Sequence, residues 1–424
     1  MENIENKVPN GENQDTQNSS FFSENVSSSN GLEPSLRFRN FVDDWEESKL
    51  SSFFKKCLEK NKNGLVDNVI CNSAKNGLMP QRDFFDKDIA NTENTNGYYI
   101  IQENDFVYNP RKSNEAPYGP ISIYKYKEKG IVSPLYLCFR ATTEIHPRYF
   151  EMYFKSSVWH NYIYFAGDSG ARHDRVSIKD DVFFEMPINI PSLPEQQKIA
   201  NFLSLVDQRI EKQRQLVEAL KKYKRGLFLK LYNEADKNII LFKNIYDIAS
   251  EGGTPSTLDP ENYENGKLPF IKIDDLNQHY LTAAKYFITE KGLKKSSAWI
   301  VPENSIIYSN GATIGACSIN KMPVTTKQGI LGIVPKSNFS VEFLYFYFTS
   351  SLFKEKIRAI TTKGTMDCAY LKDINNIKIN IPNFIIQQKI AKVMVNFENL
   401  IERTEFALIS LQNIKKALLQ KMFI

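Results

Sequence analysis

Segments of the chain punctuated by glycine and proline carry a recurring set of hydrogen-bonding side chains. In the first half these are Asn109, Arg111, Lys112, Ser133, Arg172, His173 and Arg175. In the second half they are Thr254, Ser256, Asn310, Lys327, Gln328, Lys363 and Thr365. A guanidinium forks onto two acceptors, and an Asn or Gln amide sets a donor beside an acceptor. Lys and Thr more often hold phosphate oxygens and fix register. The chemistry within reach of such a set is recognition rather than bond-making.

Catalytic constellations do not assemble from the remaining residues. Tyr108-Asn109-Pro110-Arg111 is superficially similar to the Asn-Pro-Pro-aromatic motif of adenine methyltransferases, but the second proline and the stacking aromatic are missing and no glycine-rich cofactor loop precedes it. Glu47-Ser48-Lys49 has the Glu-x-Lys spacing of a nuclease without a metal-binding Asp on a separate strand. No Gly-x-x-x-x-Gly-Lys-Ser/Thr loop is present to cradle ATP phosphates. His146, His160, His173 and His279 lack ligand spacing, and the five cysteines contain no Cys-x-x-Cys pair. The sequence therefore offers no catalytic residue and no metal site. A stand-alone nuclease would have to be sought by incubating the pure chain with DNA and Mg²⁺.

The scaffold that positions these loops has room for two or three domains, with 424 residues of which 42% are hydrophobic and 12% aromatic. No run of about 18 apolar residues occurs and the polar N-terminus does not read as a signal peptide. The scattered cysteines, odd in number, fit a reducing cytoplasm, so a cytoplasmic location is expected. Residues 1–33, rich in Asn, Ser, Gln and Glu, predict a disordered polar tail. That tail carries a net −5, so the rest of a +5 chain carries +10, enough to make nucleic acid a candidate partner.

The dominant organising signal is an internal duplication. Ile190-Pro191 with Gln196-Gln197-Lys198-Ile199-Ala200 recurs as Ile381-Pro382 with Gln387-Gln388-Lys389-Ile390-Ala391, 191 residues later. Each copy opens a long helical pattern with apolar residues at alternating steps of four and three. The first seam is Ile199, Leu203, Val206, Ile210, Val217, Leu220 and Leu227; the second is Ile390, Met394, Phe397, Ile401, Leu408, Leu411 and Leu418. A 3.5-residue spacing is that of a coiled coil, and the polar interruptions fall at matching places, Gln213 with Thr404 and Lys224 with Lys415. The shared seam favours the two helices packing on each other over two helices lying on separate cores.

Before each helix lies a globular stretch. In the first, residues 49–54 predict a short amphipathic helix, strands are expected near 98–101, 105–108, 121–124 and 134–139, and a helix over 151–164. In the second, strands are expected near 269–273, 305–308 and 330–334, and a helix over 341–360. The fold class read from this is α+β, with two pseudo-repeated globular α/β domains separated by two long helices forming an antiparallel coiled coil.

From about Pro34 onward the chain resembles the specificity (S) subunits of type I restriction–modification systems. The resemblance rests on Pro34-x-Leu36-Arg37-Phe38 with Asp43-Asp44-Trp45-Glu46, on Asp105-Phe106-Val107-Tyr108-Asn109-Pro110, and on Gly130-Ile131-Val132-Ser133-Pro134-Leu135-Tyr136. In the second half it rests on Gly252-Gly253-Thr254-Pro255-Ser256 and Thr325-Thr326-Lys327-Gln328-Gly329-Ile330, and above all on the doubled Gln-Gln opening. Pro194-Glu195-Gln196 keeps the family's Pro-x-x-Glu-Gln form, whereas Ile385-Ile386-Gln387 departs from it and puts the second helix's cap in doubt.

The resemblance implies a tail at 1–33, target-recognition domains at 34–193 and 236–383, and spacer helices at 194–235 and 384–424. It implies that each recognition domain reads one half of a bipartite asymmetric site in double-stranded DNA through the loop residues above. It also implies that the helices dock two methyltransferase subunits, with restriction subunits joining. No cofactor is then expected in this chain; S-adenosylmethionine, ATP and Mg²⁺ belong to the partners. A helix of about 38 residues, rising about 1.5 Å each, spans about 57 Å, more than one duplex turn of about 34–36 Å. A reader for a methyltransferase-only or related defence complex, or a coiled-coil scaffold that binds no DNA, remains open from sequence alone.

Overall fold

A computed structural model describes residues 22–24, 33–62, 64–84, 95–167, 174–276, 278–311, 313–362 and 367–424. The chain divides into two compact units, Met1–Lys212 with Ile409–Ile424, and Gln213–Leu408.

The first unit is built on a four-stranded antiparallel sheet in the order Phe54–Lys56, Leu137–Ala141, Phe106–Tyr108, Ile121–Ile123. Phe54 packs edge-on against Phe106, Phe139 and Phe150 with ring centroids 5.4, 5.3 and 4.9 Å apart. Such large rings dominate core burial and favour these tilted geometries. A second ladder pairs Glu46–Lys49 with Pro187–Ile190. The helix expected over 49–54 is therefore absent: residues 46–49 are strand, Leu50–Ser52 is one 3-10 turn, and Phe54 enters the sheet. Six residues cannot nucleate a stable helix by themselves, and long-range pairing on both sides recruits the backbone. Of the segment read as a tail, Phe22–Glu24 is a strand paired antiparallel with Leu36–Phe38, which corrects that reading for these three residues.

The second unit repeats this plan. Its sheet runs Tyr246–Glu251, Ile330–Pro335, Ile306–Ser309, Cys317–Asn320, Tyr280–Leu281. Lys237–Leu241 pairs with Lys378–Pro382, the counterparts at 191 residues of the ladder in the first unit. Both expected long aromatic helices are broken in two, Pro147–Lys155 from His160–Ala166 and Val341–Thr349 from Ser351–Ile360. The break has one cause in both. Ser156 and Ser350 take extended backbone, and each hydroxyl donates to the carbonyl three residues back, Tyr153 and Tyr347, at 2.6 Å. Serine competes for backbone partners in this way and ends helices.

The long helices run Leu193–Glu234 and Phe384–Lys421, and the duplicated glutamine anchors the start of each. Buried Gln196 donates to the Pro191 carbonyl at 3.0 Å and accepts from the His146 amide at 3.1 Å. Buried Gln387 donates to the Pro382 carbonyl at 2.8 Å and accepts from the Ser340 amide at 2.9 Å. One side chain thus ties the end of the ladder to the start of the aromatic helix. Glu195 forms a buried ion pair with Arg37, 2.8 and 2.9 Å, whereas its counterpart Ile386 packs on the second core. The cap survives this departure because Asn383 accepts from the Ile386 amide at 3.0 Å.

All fourteen seam side chains are buried or half-buried, while Leu205, Phe406, Ile409 and Ile414 between them are exposed. Within the second unit Gln213 donates to the Thr404 carbonyl at 2.9 Å, Lys221 pairs with Glu405 at 2.7 Å and Lys224 pairs with Glu398. From Gln213–Thr404 to Lys224–Glu398 one number rises as the other falls, so the helices are antiparallel there. Within the first unit Lys415 pairs with Asp207, the same pair as Lys224 with Glu398 shifted by 191 residues. The polar interruptions therefore fix register through matched hydrogen bonds and ion pairs.

The C-terminal residues complete the first core. Phe423 lies 5.3 Å from Tyr149 and 6.1 Å from Tyr153. In the second unit the counterpart Tyr232 stacks on Tyr347 at 5.6 Å. The residues that follow the second long helix thus do for the first unit what the last turn of the first long helix does for the second.

Candidate nucleic-acid interface

In the first unit the described donors converge on one groove. Strand Phe106–Tyr108 delivers Asn109 and Arg111, and the turn before Leu137–Ala141 delivers Ser133. Residues 110–112 pair with 174–176: the Lys112 amide donates to the Asp174 carbonyl at 2.8 Å and the Val176 amide to the Pro110 carbonyl at 2.9 Å. This short antiparallel bridge sets Arg111 opposite Arg175. Asn109, Arg111, Lys112, Ser133 and Arg175 all line a groove of about 620 Å³, with Leu135 and Tyr136 as its apolar wall. Arg111 is 68% exposed and stands 3.9 Å from Asp174. Arg175 is half-buried, and among the described residues its Nε has no partner. A buried unpaired donor costs about 1–3 kcal/mol, which a bound acceptor would relieve.

Asn109 is more committed than the sequence suggested. Its amide donates to the Asn72 carbonyl at 3.1 Å and its oxygen accepts from the Arg111 amide at 3.1 Å, so both atoms of an adenine-reading face are already engaged. Asn72, which the sequence reading passed over, braces the groove floor. Its amide donates to the Val107 and Pro120 carbonyls at 2.8 and 3.2 Å, and its oxygen accepts from Ser122 at 2.7 Å. No motif marked it, since a single buried Asn between strands has no periodic signature. Asp105 of the same phrase is structural: its carboxylate holds Arg140 at 2.6 and 2.7 Å and accepts from the Gln102 amide at 2.8 Å. The Asp105 side chain raises the pKa of Arg140 further.

The second unit brings its two glycine loops together. Thr254 and Ser256 on one, and Lys327 and Gln328 on the other, are exposed. The Gln328 backbone N–H donates to Thr254 Oγ1 at 3.4 Å, and the Gly329 backbone N–H donates to Glu251 Oε1 at 2.7 Å. A Cβ on Gly252 would lie 2.0 Å from the Thr326 carbonyl oxygen, so only glycine permits this approach. Gly329 holds φ +83° in the turn. Asn310 is the exception: it is fully buried beneath that turn, its amide donating to the Ala369 carbonyl at 3.1 Å and its backbone N–H to the Gly329 carbonyl at 3.0 Å. The reading of Asn310 as an exposed contact is corrected; a loop asparagine packed under a second loop looks the same in sequence as one facing solvent. Arg172, His173, Lys363 and Thr365 lie outside the described residues.

The two clusters occupy the same place in the repeated sheet. Asn109 and Asn310 each follow the middle strand, and Ser133 and Lys327 each precede its neighbour. The donors differ between the units although the frame is shared. All five cysteines are free, and burial pushes the Cys57 thiol up to about 12. Among the described residues no group of His, Cys, Asp or Glu is disposed to hold a metal ion, and no helix is long and apolar enough to cross a membrane.

The family model for the type I restriction modification DNA specificity domain matches residues 42–222 and 239–411. The specificity subunit of the type I restriction enzyme MjaIX of Methanocaldococcus jannaschii is 33% identical over 192 residues, 45% of this chain and 44% of that protein. The EcoR124I/EcoR124II specificity subunit of Escherichia coli is 29% identical over 154 residues, 35% and 38% of the two chains. These two matches thus span less than half of either relative. The MjaVIII specificity subunit of M. jannaschii is 24% identical over 402 residues, 85% of this chain and 87% of that protein. Among solved structures, the S subunit of a type I restriction–modification system from Mycoplasma genitalium superposes with a TM-score of 0.51 at 18% identity, covering 93% of this chain and 99% of that one. A chain from work on complex assembly and conformational transition of the type I R-M system gives 0.59 at 15% identity, covering 88% and 96%. These two share the fold, an α+β plan of two specificity domains with long helices packed together. With both repeats matched by the family model, the chain belongs to the type I restriction modification DNA specificity family.

Proposed function

We propose that this chain is the DNA-reading specificity subunit of a type I restriction–modification complex. In this reading residues 34–193 and 236–383 are its two recognition domains. The observation that carries the reading is the repeated frame with unlike donors: Arg111, Lys112, Ser133 and Arg175 in one unit, Thr254, Ser256, Lys327 and Gln328 in the other. One frame with two donor sets suits two unlike half-sites of one asymmetric DNA sequence. Arginines of the first groove fork onto guanine edges, and Gln328 pairs with an adenine edge. Lys112, Lys327 and the hydroxyls hold backbone phosphates. The paired helices set the length of the unread gap and present docking faces to two methyltransferase subunits, which restriction subunits join in the cytoplasm. S-adenosylmethionine, ATP and Mg²⁺ act on those partners, and this chain contributes recognition alone.

The test is duplex binding by the purified full chain across a salt series. A reader loses affinity steeply as salt rises, with a slope of about −0.9 per phosphate contacted. A scaffold that binds only protein shows no such binding, and that result would remove the reading.

A further inference from the structure

Beside the groove of the first unit, the helix Pro147–Lys155 turns a buried carboxylate toward a second cavity, of about 350 Å³. Glu151, 4% exposed, accepts from three cations: Lys125 at 2.7 Å, Arg148 at 2.6 Å and Lys155 at 2.8 Å. One carboxylate neutralises one of the three, so the cluster keeps an excess of two positive charges. The cations are 47%, 49% and 41% exposed, so each is held at its base while facing solvent. Burial works to raise the Glu151 pKa, but the Lys155 and Lys125 ammoniums hold it down at about 2, so it stays ionised. Burial lowers the Lys125 pKa, as do Lys155 and Arg148 beside it, and an added anion would ease that crowding. Lys125, Glu151 and Lys155 line this cavity, and so do Asn76 and Glu115. Ala74 and Pro120 belong to the walls of both this cavity and the reading groove, so a strand seated in one passes the other.

We propose that Lys125 and Lys155, ordered by Glu151 at the cavity wall, clamp a backbone phosphodiester of the duplex that the neighbouring groove reads. This rests on the DNA-reading assignment above and adds to it a sequence-independent anchor. Glu151 is a positioning residue: its Oε1 converges the two ammoniums of Lys125 and Lys155, while Oε2 takes Arg148. The shared wall with the groove favours a phosphodiester over free inorganic phosphate as the occupant.

The test uses the full chain and a duplex carrying its methylated site, titrated from about 50 to 200 mM salt. Lys125→Gln with Lys155→Gln should flatten the slope of log affinity against log salt by about 0.9, the share of one phosphate. The sequence methylated by the assembled complex should not change. Lys125→Arg should keep the wild-type slope, and adding Glu151→Gln to the double variant, so that no buried carboxylate loses its partners, lets an unchanged thermal melt exclude misfolding. A wild-type slope in the double Gln variant would overturn the clamp and leave the reading standing. Absence of salt-dependent binding by the wild-type chain would instead overturn the reading itself. A site for free anion alone would be shown by inorganic phosphate titrating Lys125 and Lys155 resonances with the duplex slope unaltered, and would also overturn the clamp.

Discussion

Replacing His279 with Phe should abolish much of the acid sensitivity of the second unit. The imidazole is 3% exposed and stacked among Tyr280, Tyr345 and Phe346, with ring centroids 3.9, 4.3 and 5.2 Å away. Neither ring nitrogen has a partner among the described residues. Burial, reinforced by Lys224 and Lys321, lowers its pKa from 6.5 to about 4. A base whose folded pKa is depressed takes up its proton first in the unfolded chain. No pH-dependent cost therefore arises above about pH 7, and stability is lost as pH falls from 6.5 toward 4. At 1.36 kcal/mol per unit the loss between pH 8 and pH 5 is about 2 kcal/mol, rising to about 3 kcal/mol below pH 4. Hydrogen exchange of the Ile306–Ser309 amides, followed at pH 8 and pH 5 and corrected for intrinsic rates, reads this local free energy. Other carboxylates titrate in both proteins, so the quantity of interest is the wild-type change minus the His279→Phe change. Equal changes in the two proteins would show that the imidazole is protonated or hydrated in the fold, and the aromatic enclosure would then be wrong.

Two further outcomes follow from the frame. Gln387→Leu leaves the buried Ser340 amide and Pro382 carbonyl without partners, at about 1–3 kcal/mol each, so the chain's urea midpoint should fall; an unchanged midpoint would mean that this tie adds nothing. Inserting one helical turn after Ala219, matched by one in the second long helix, should lengthen the unread gap of the recognised site while both half-sites persist. A methylation pattern with the original gap would contradict the spacer role.

Much of this architecture was legible because duplication writes itself into residues. Gln196 and Gln387 recur at the same offset, and each makes the same two bonds. The seam was visible in its 3.5-residue spacing, and the matched interruptions Gln213 and Thr404 meet each other. What the sequence hid were properties set by distant contacts. Lys49 to Phe54 reads as helix until Pro187–Ile190 pairs with the residues before it. The breaks at Ser156 and Ser350 depend on where a serine hydroxyl turns, which composition does not encode. Asn310 carries the right chemistry for a base edge, yet the turn at Lys327–Gly329 covers it. The groove of the first unit was half legible: its donors were named, but the bridge that faces Arg111 with Arg175 joins segments some sixty residues apart, and the Asn72 brace has no local signature.

The central proposal is that one repeated frame carries two different DNA readers. Mapping methylated adenines in cells that express this chain with type I methyltransferase subunits tests it most directly. The account predicts one asymmetric site of two unlike half-sites around an unread gap, with exchange of residues 34–193 for those of another family member altering one half alone. A single continuous site, or a change in both halves on that exchange, would contradict it.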